Sequence, residues 1–226
     1  MLRPALIFLP LISLAAVAGA DEANISRTQN GAPGAVSQLI TAQRGYEMAL
    51  KSGDPILLLA SVRLARGVVL RMPMSWEKVT EGEAPADQPQ GKEGAPDPAS
   101  STAVVIVQNF AGDDPNLQDY VYDLDAQLPN GRKETAIAAD AVLGAGQQDS
   151  WRMPLSGAVP AEIGLIGDGD TSLSLTITDE AGLPVCTLPP SPEPGLCAFT
   201  PARNGFFTIV VENLGAAENS YRLLSN

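Results

Sequence analysis

Histidine is absent from the 226-residue chain, and cysteine occurs only twice. A Ser-His-Asp triad, a histidine-ligated zinc and a c-type haem are therefore excluded, and a four-cysteine metal site lacks its ligands. Cations are scarce: 14 Lys and Arg face 26 Asp and Glu, for a formal charge of −12. Nucleic-acid binding needs a basic surface to displace phosphate counterions, which this composition does not supply. Aromatics make up only 5% of the chain against 45% hydrophobic residues, so any core is mainly aliphatic. No Gly-x-Ser-x-Gly, His-Glu-x-x-His or Gly-x-x-x-x-Gly-Lys motif occurs.

Long apolar runs are also missing, except at the start. Arg3 precedes an apolar stretch from Ala5 to Leu14, and the small residues Ala18-Gly19-Ala20 stand just before Asp21. A basic start, an apolar middle and a small-residue exit form the pattern of a secretory signal peptide. A membrane anchor is the competing reading, but it needs about 20 apolar residues, and Pro4 and Pro10 interrupt this one. Cleavage after Ala20 is expected, giving a periplasmic or secreted protein of 206 residues and net charge −13, because Arg3 is lost and no acid is. No membrane span is expected after cleavage.

Export gives the cysteines a role. Cys186 and Cys197 can bond in an oxidising compartment. Such a bond closes a loop of 12 residues; the chain-entropy model assigns a loop of that size about 3 kcal/mol. The intervening Thr187 to Leu196 carries four prolines and reads as a stiff surface loop. Two free or metal-binding thiols are the alternative.

Residues 80–100 contain no Val, Ile, Leu, Met or aromatic, but five acids, four Pro and three Gly. Such a stretch cannot bury enough apolar surface to offset its ordering entropy, and it reads as a flexible acidic spacer. The pattern before it is helical. Val36, Leu39, Ile40, Tyr46, Ala49 and Leu50 share one face of a helix over 35–51. Gly53 suits a left-handed helix end, Asp54 an N-cap, and Pro55 the first position of a second helix running to about Leu70. The same device returns at Gly112-Asp113-Asp114-Pro115, so 101–147 reads as a second helical segment.

From about Ser150 the period changes to two. Leu173, Leu175 and Ile177 alternate with Ser and Thr, and Phe207, Ile209 and Val211 mark a second strand. Five further short strands are read at 151–155, 161–166, 183–187, 196–200 and 221–224. Short strands at such spacing predict an antiparallel β-sandwich. The fold class is α+β: N-terminal helical hairpins followed by a C-terminal jelly-roll-like β-sandwich.

The run from Ala161 to Leu175, the block from Thr200 to Leu214 and the ending Asn219-Ser220-Tyr221-Arg222-Leu223 together resemble a bacterial pre-peptidase C-terminal domain. The resemblance covers about 148–226. It implies a β-sandwich of the kind appended to secreted peptidases, where such domains help bind substrate and can hold calcium. The family often alternates acids along the strand after its Gly-Asp turn; here Ser172 and Ser174 stand at two of those positions. Asp168, Asp170 and Asp179 remain as calcium candidates, with a simple Asp-Gly-Asp turn as the competing reading. The chain is thus expected to comprise a signal peptide (1–20), a helical hairpin (21–79), a disordered acidic loop (80–100), a second helical segment (101–147) and the sandwich (148–226).

The acid pairs Asp113–Asp114, Asp123/Asp125 and Asp179–Glu180 are expected to shape turns and caps rather than perform acid–base chemistry. Tyr46, Trp76, Tyr120, Tyr122 and Trp151 are expected to pack. The function expected is a non-catalytic exported binding or accessory protein, contacting an envelope or extracellular protein or polysaccharide through its β-sandwich or a helical face. A calcium-dependent adhesion or stability module is the second reading. A hydrolase with an unrecognised carboxylate site is the third.

Overall fold

Ala35–Ser52 (α1) turns its buried side chains, among them Val36, Leu39, Ile40 and Tyr46, to one side. Gly53 ends it with a φ of 72°, and its N–H bonds the Ala49 carbonyl. Asp54 then caps Pro55–Arg66 (α2), its Oδ1 accepting from the N–H groups of Ile56 and Leu57 at 2.9 and 3.0 Å. Ser101–Ala111 (α3) and Pro115–Ala126 (α4) meet at the second joint, where Asp114 accepts from Asn116 and Leu117. These features belong to a computed structural model that describes residues 22–28, 31, 33–92, 94–126 and 134–226. The expected signal peptide lies outside the described residues. No helix among the described residues is long and apolar enough to cross a membrane.

Among the described residues ten strands form two sheets. In chain order they are Val68–Arg71 (β1), Glu77–Glu81 (β2), Glu134–Leu143 (β3), Gln148–Leu155 (β4), Ala161–Gly167 (β5), Leu173–Thr178 (β6), Pro184–Ser191 (β7), Gly195–Phe199 (β8), Gly205–Asn213 (β9) and Asn219–Ser225 (β10). One sheet runs β1-β3-β10-β5-β8 and the other β2-β4-β9-β6-β7. All pairings are antiparallel except β1 with β3. The architecture is α+β with a sandwich, as the periodicity implies.

Two expected boundaries move. The second helix stops at Arg66, and the β-branched Val68 and Val69 enter β1, pairing with Glu134 and Thr135. Residues 134–143, expected to be part of the second helical segment, form β3 because β1 and β10 offer hydrogen bonds along both its edges. The sandwich therefore begins at Val68, and α3 and α4 are inserted between its strands.

Three cores follow. Leu143, Met153, Ile163, Leu175, Phe207, Ile209 and Leu223 fill the space between the sheets. Tyr46, Leu58, Val62, Val104 and Val107 join the helices. Val36, Leu39, Ile40, Val68, Ile166 and Leu224 seat α1 on the outer face of the β1-β3-β10-β5-β8 sheet. β5 lies under α1 on one face and over the sandwich core on the other, so six consecutive residues from Ala161 are buried and its pattern does not alternate. Gly164 permits the contact: a Cβ there would stand 2.6 Å from Val36 Cγ1.

The acidic segment expected to be disordered is irregular but tied down. Gln88 Oε1 accepts from the Ala145 N–H, the Pro89 carbonyl from Glu218, and Lys92 donates to Asp170. Asp97 contacts Arg222, and Ser100 caps α3. Backbone and charged groups do the holding, which apolar content alone does not register. The disulfide Cys186–Cys197 is formed, with Cα atoms 6.1 Å apart. It joins β7 of one sheet to β8 of the other, and most of the expected stiff loop is strand. Pro189 and Pro190 are tolerated because β7 is an edge.

The N-terminus of α1 has a remote cap. Gly34 stands at the N-cap without a side chain, and Glu162 on β5 supplies the carboxylate. It accepts from the N–H groups of Gly34, Val36 and Ser37 at 2.8, 3.1 and 3.0 Å, and from the Ser37 hydroxyl. Glu162→Ala leaves these donors unpaired and is expected to cost about 2–3 kcal/mol. Glu162→Gln, which keeps one acceptor, should lose less. Chemical denaturation of the two variants checks the order; equal losses would mean that a neutral acceptor adds nothing at this position and that the charge carries the effect.

Candidate functional site

The three acids named as calcium candidates, Asp168, Asp170 and Asp179, each accept hydrogen bonds from N–H donors. Asp168 accepts from the backbone of Asp170 and Ser220 at 2.9 and 2.7 Å. Asp170 accepts from the Lys92 N–H and pairs with its ammonium, which holds the Asp170 carboxyl below its usual range. Asp179 accepts from Asn24 at 2.8 Å and, through its other oxygen, from Ala181 and Leu183. Calcium takes six to eight oxygen ligands, whereas these oxygens point at the positive ends of N–H bonds. Among the described residues no three acids or thiols gather as a metal cluster. The turn reading of Asp168-Gly169-Asp170 describes the geometry, with Gly169 at a φ of 82°.

Residues that sequence reasoning passed over form two polar centres. Asp149 on β4 is fully buried and accepts from Thr80, from Tyr221 at 2.5 Å and from the Lys78 ammonium at 3.2 Å. Burial, then the bond to Asp149, pushes the Tyr221 phenol far up, so it stays a donor. Ser75-Trp76-Glu77-Lys78 has the Ser-x-x-Lys spacing of some acyl-transfer enzymes. Here Ser75 lies in irregular backbone before β2, and Lys78 is committed to Asp149. The second centre is Arg222 on β10, which bonds Asp140 at 2.7 Å and reaches Asp97 at 3.5 Å. It lies at a cavity of about 290 Å³ lined also by Gln43, Val142, Ile166 and Ser220. The two carboxylates that converge there meet on a cation. No signal in the sequence links positions 97, 140 and 222; only the β3–β10 register brings the last two opposite each other.

The helical pair offers a different surface. Trp151 and Tyr46 are buried as expected, but Tyr120 is 55% and Tyr122 72% exposed on α4, correcting the packing expectation. Val105 and Phe110 are exposed on α3. Val121 and Leu124 use the inner side of α4, so its neighbours in sequence turn outward. Asp113, Asp114, Asp119 and Asp123 are exposed around these apolar groups. The side chain of Asp125 lies outside the described residues. Between Lys92 and Arg132 the chain has seven acids and no Lys or Arg, so α3 and α4 contribute acids and no cations.

No family model matches the chain, and no curated protein matches it. Among solved structures it is similar in part to the pre-peptidase C-terminal domain of a collagenase from Bacillus anthracis. The match has 12% identity and a TM-score of 0.32, over 41% of this chain and 88% of that one.

Asp179 makes stability depend on pH. Burial opposes its charge, but the N–H groups of Asn24, Leu183 and Ala181 and the charge of Arg203 outweigh it and hold the carboxyl below its ordinary value. A depressed folded-state value contributes stability that is complete above the unfolded value, about 3.9, and lost as pH falls below it. Asp179→Asn should therefore destabilise most at neutral pH, and its deficit should shrink below about pH 4. Denaturation of both proteins across the acid range checks this; a constant deficit would remove the carboxylate from the account.

Proposed function

We propose that this protein is a non-catalytic exported binding protein and that α3 and α4 form its contact face. The observation that carries the reading is the exposed set Val105, Phe110, Tyr120 and Tyr122 on two helices whose own charged residues are all acids. Buried aromatics anchor interfaces, while acids around them steer encounter and select a partner of opposite charge. The partner that fits is an envelope or extracellular protein presenting Lys or Arg around an apolar anchor. A disulfide is compatible with an oxidising compartment. The converging acids Asp97 and Asp140 are occupied by Arg222, which supports a non-catalytic reading over the carboxylate-hydrolase one.

A synthetic amphipathic peptide of leucine and lysine, titrated into the full chain, tests this. Binding is expected to weaken with added salt, and to weaken about tenfold or more on Phe110→Ala or Tyr122→Ala. A matched leucine–glutamate peptide should not bind this face. Affinity indifferent to both substitutions would reject the helical face as the contact.

A further inference from the structure

A sandwich of two open sheets has four edges, here β1 and β8 in one sheet and β2 and β7 in the other. Edge strands offer unpaired N–H and C=O groups, and proteins usually guard them. Three of these edges are guarded. β7 carries Pro184, Pro189 and Pro190, which donate no hydrogen bond, and the disulfide ties it to β8. β2 carries Glu77, Lys78 and Glu81.

β1 has no proline and no disulfide, and its one charged residue is Arg71 at its end. Among the described residues it pairs only with β3, and in an edge strand every second residue turns its N–H and C=O away from the single neighbour. Val69 and Leu70 are exposed, and the chain continues to Met72, 85% exposed, and Met74, 101% exposed. Arg71 is the last residue of β1, Arg66 ends α2 two residues before β1, and Arg63 stands one turn back along α2. Among the described residues none of the three forms an ion pair, although acids outnumber cations nearly two to one. The edge therefore pairs the exposed apolar Val69 and Leu70 with Arg71, and the helix turn leading into it carries Arg63 and Arg66, on a chain that is acidic as a whole.

We propose that the open edge of β1 takes an extended segment of another polypeptide, alternating apolar and acidic residues, as an added strand. Main-chain bonds to β1 supply register, Val69, Leu70, Met72 and Met74 the apolar contacts, and the unpaired arginines the preference for acids. This surface is built from β1 and the end of α2 rather than from α3 and α4, and it is tested by different residues, so either assignment stands or falls without the other.

The probe is a synthetic peptide alternating valine with glutamate, compared with one alternating valine with lysine, each added to the full chain. Amide exchange is read at 68–71. The glutamate peptide is expected to protect those amides and the lysine peptide to leave them exchanging. Arg63→Glu with Arg66→Glu should weaken binding about tenfold or more, and Arg63→Gln with Arg66→Gln by less, with unchanged melting temperatures certifying the fold. Three results overturn the proposal: no protection by the glutamate peptide, equal protection by both peptides, or protection that arises on concentrating the chain alone, which would make a second copy the occupant.

Discussion

One buried carboxylate couples the two parts of the molecule. Glu162 sits on a central strand of the sheet, yet its oxygens satisfy the first N–H groups of α1. A helix start buried without partners carries a large desolvation cost, so α1 must sit where Glu162 is. Gly164, one turn of the pleat further along the same face, lets Val36 approach the backbone. With α1 placed by polar bonds at one point and by close contact at the next, α2, α3 and α4 pack on α1 through the Tyr46 core. The acidic face of α3 and α4 thus takes its position on the sandwich from β5, to which neither helix belongs.

Legibility in the sequence follows the range of the forces involved. The joints at Gly53-Asp54-Pro55 and Asp114-Pro115 are readable because capping is decided within four residues. The strands from β4 onward are readable because one buried face imposes alternation, as at Leu173, Leu175 and Ile177. β1 and β3 are not, because Val68–Arg71 is too short to show a period and the alanines of β3 suit a helix equally well. Only pairing across more than sixty residues decides them. The segment from 82 to 100 misleads for a related reason: its anchors are main-chain groups and charges whose partners lie far along the chain.

The candidate sites divide the same way. Asp168, Asp170 and Asp179 are conspicuous in sequence, and the fold uses them to fasten Ser220, Lys92 and Asn24. Asp149 and Arg222 carry no motif, yet each gathers several partners. Tyr120 and Tyr122 look like core residues by composition and prove to be surface, because Leu117, Val121 and Leu124 already fill the inner side of α4.

The insertion of the helices between β2 and β3 has a consequence for assembly of the chain. β1 and β3 are neighbours in the sheet but flank everything from Met72 to Lys133 in sequence. Each sheet also draws one edge from before the helices and the rest from after them. During synthesis the first two strands leave the ribosome long before their partners exist, and they must wait, exposed, for the carboxyl half. Such non-local pairing raises contact order and slows folding. A fragment beginning after the helices would lack β1 and β2 and leave the inner flanks of β3 and β4 bare. The chain behaves as one folding unit with two entrances rather than as two modules in series.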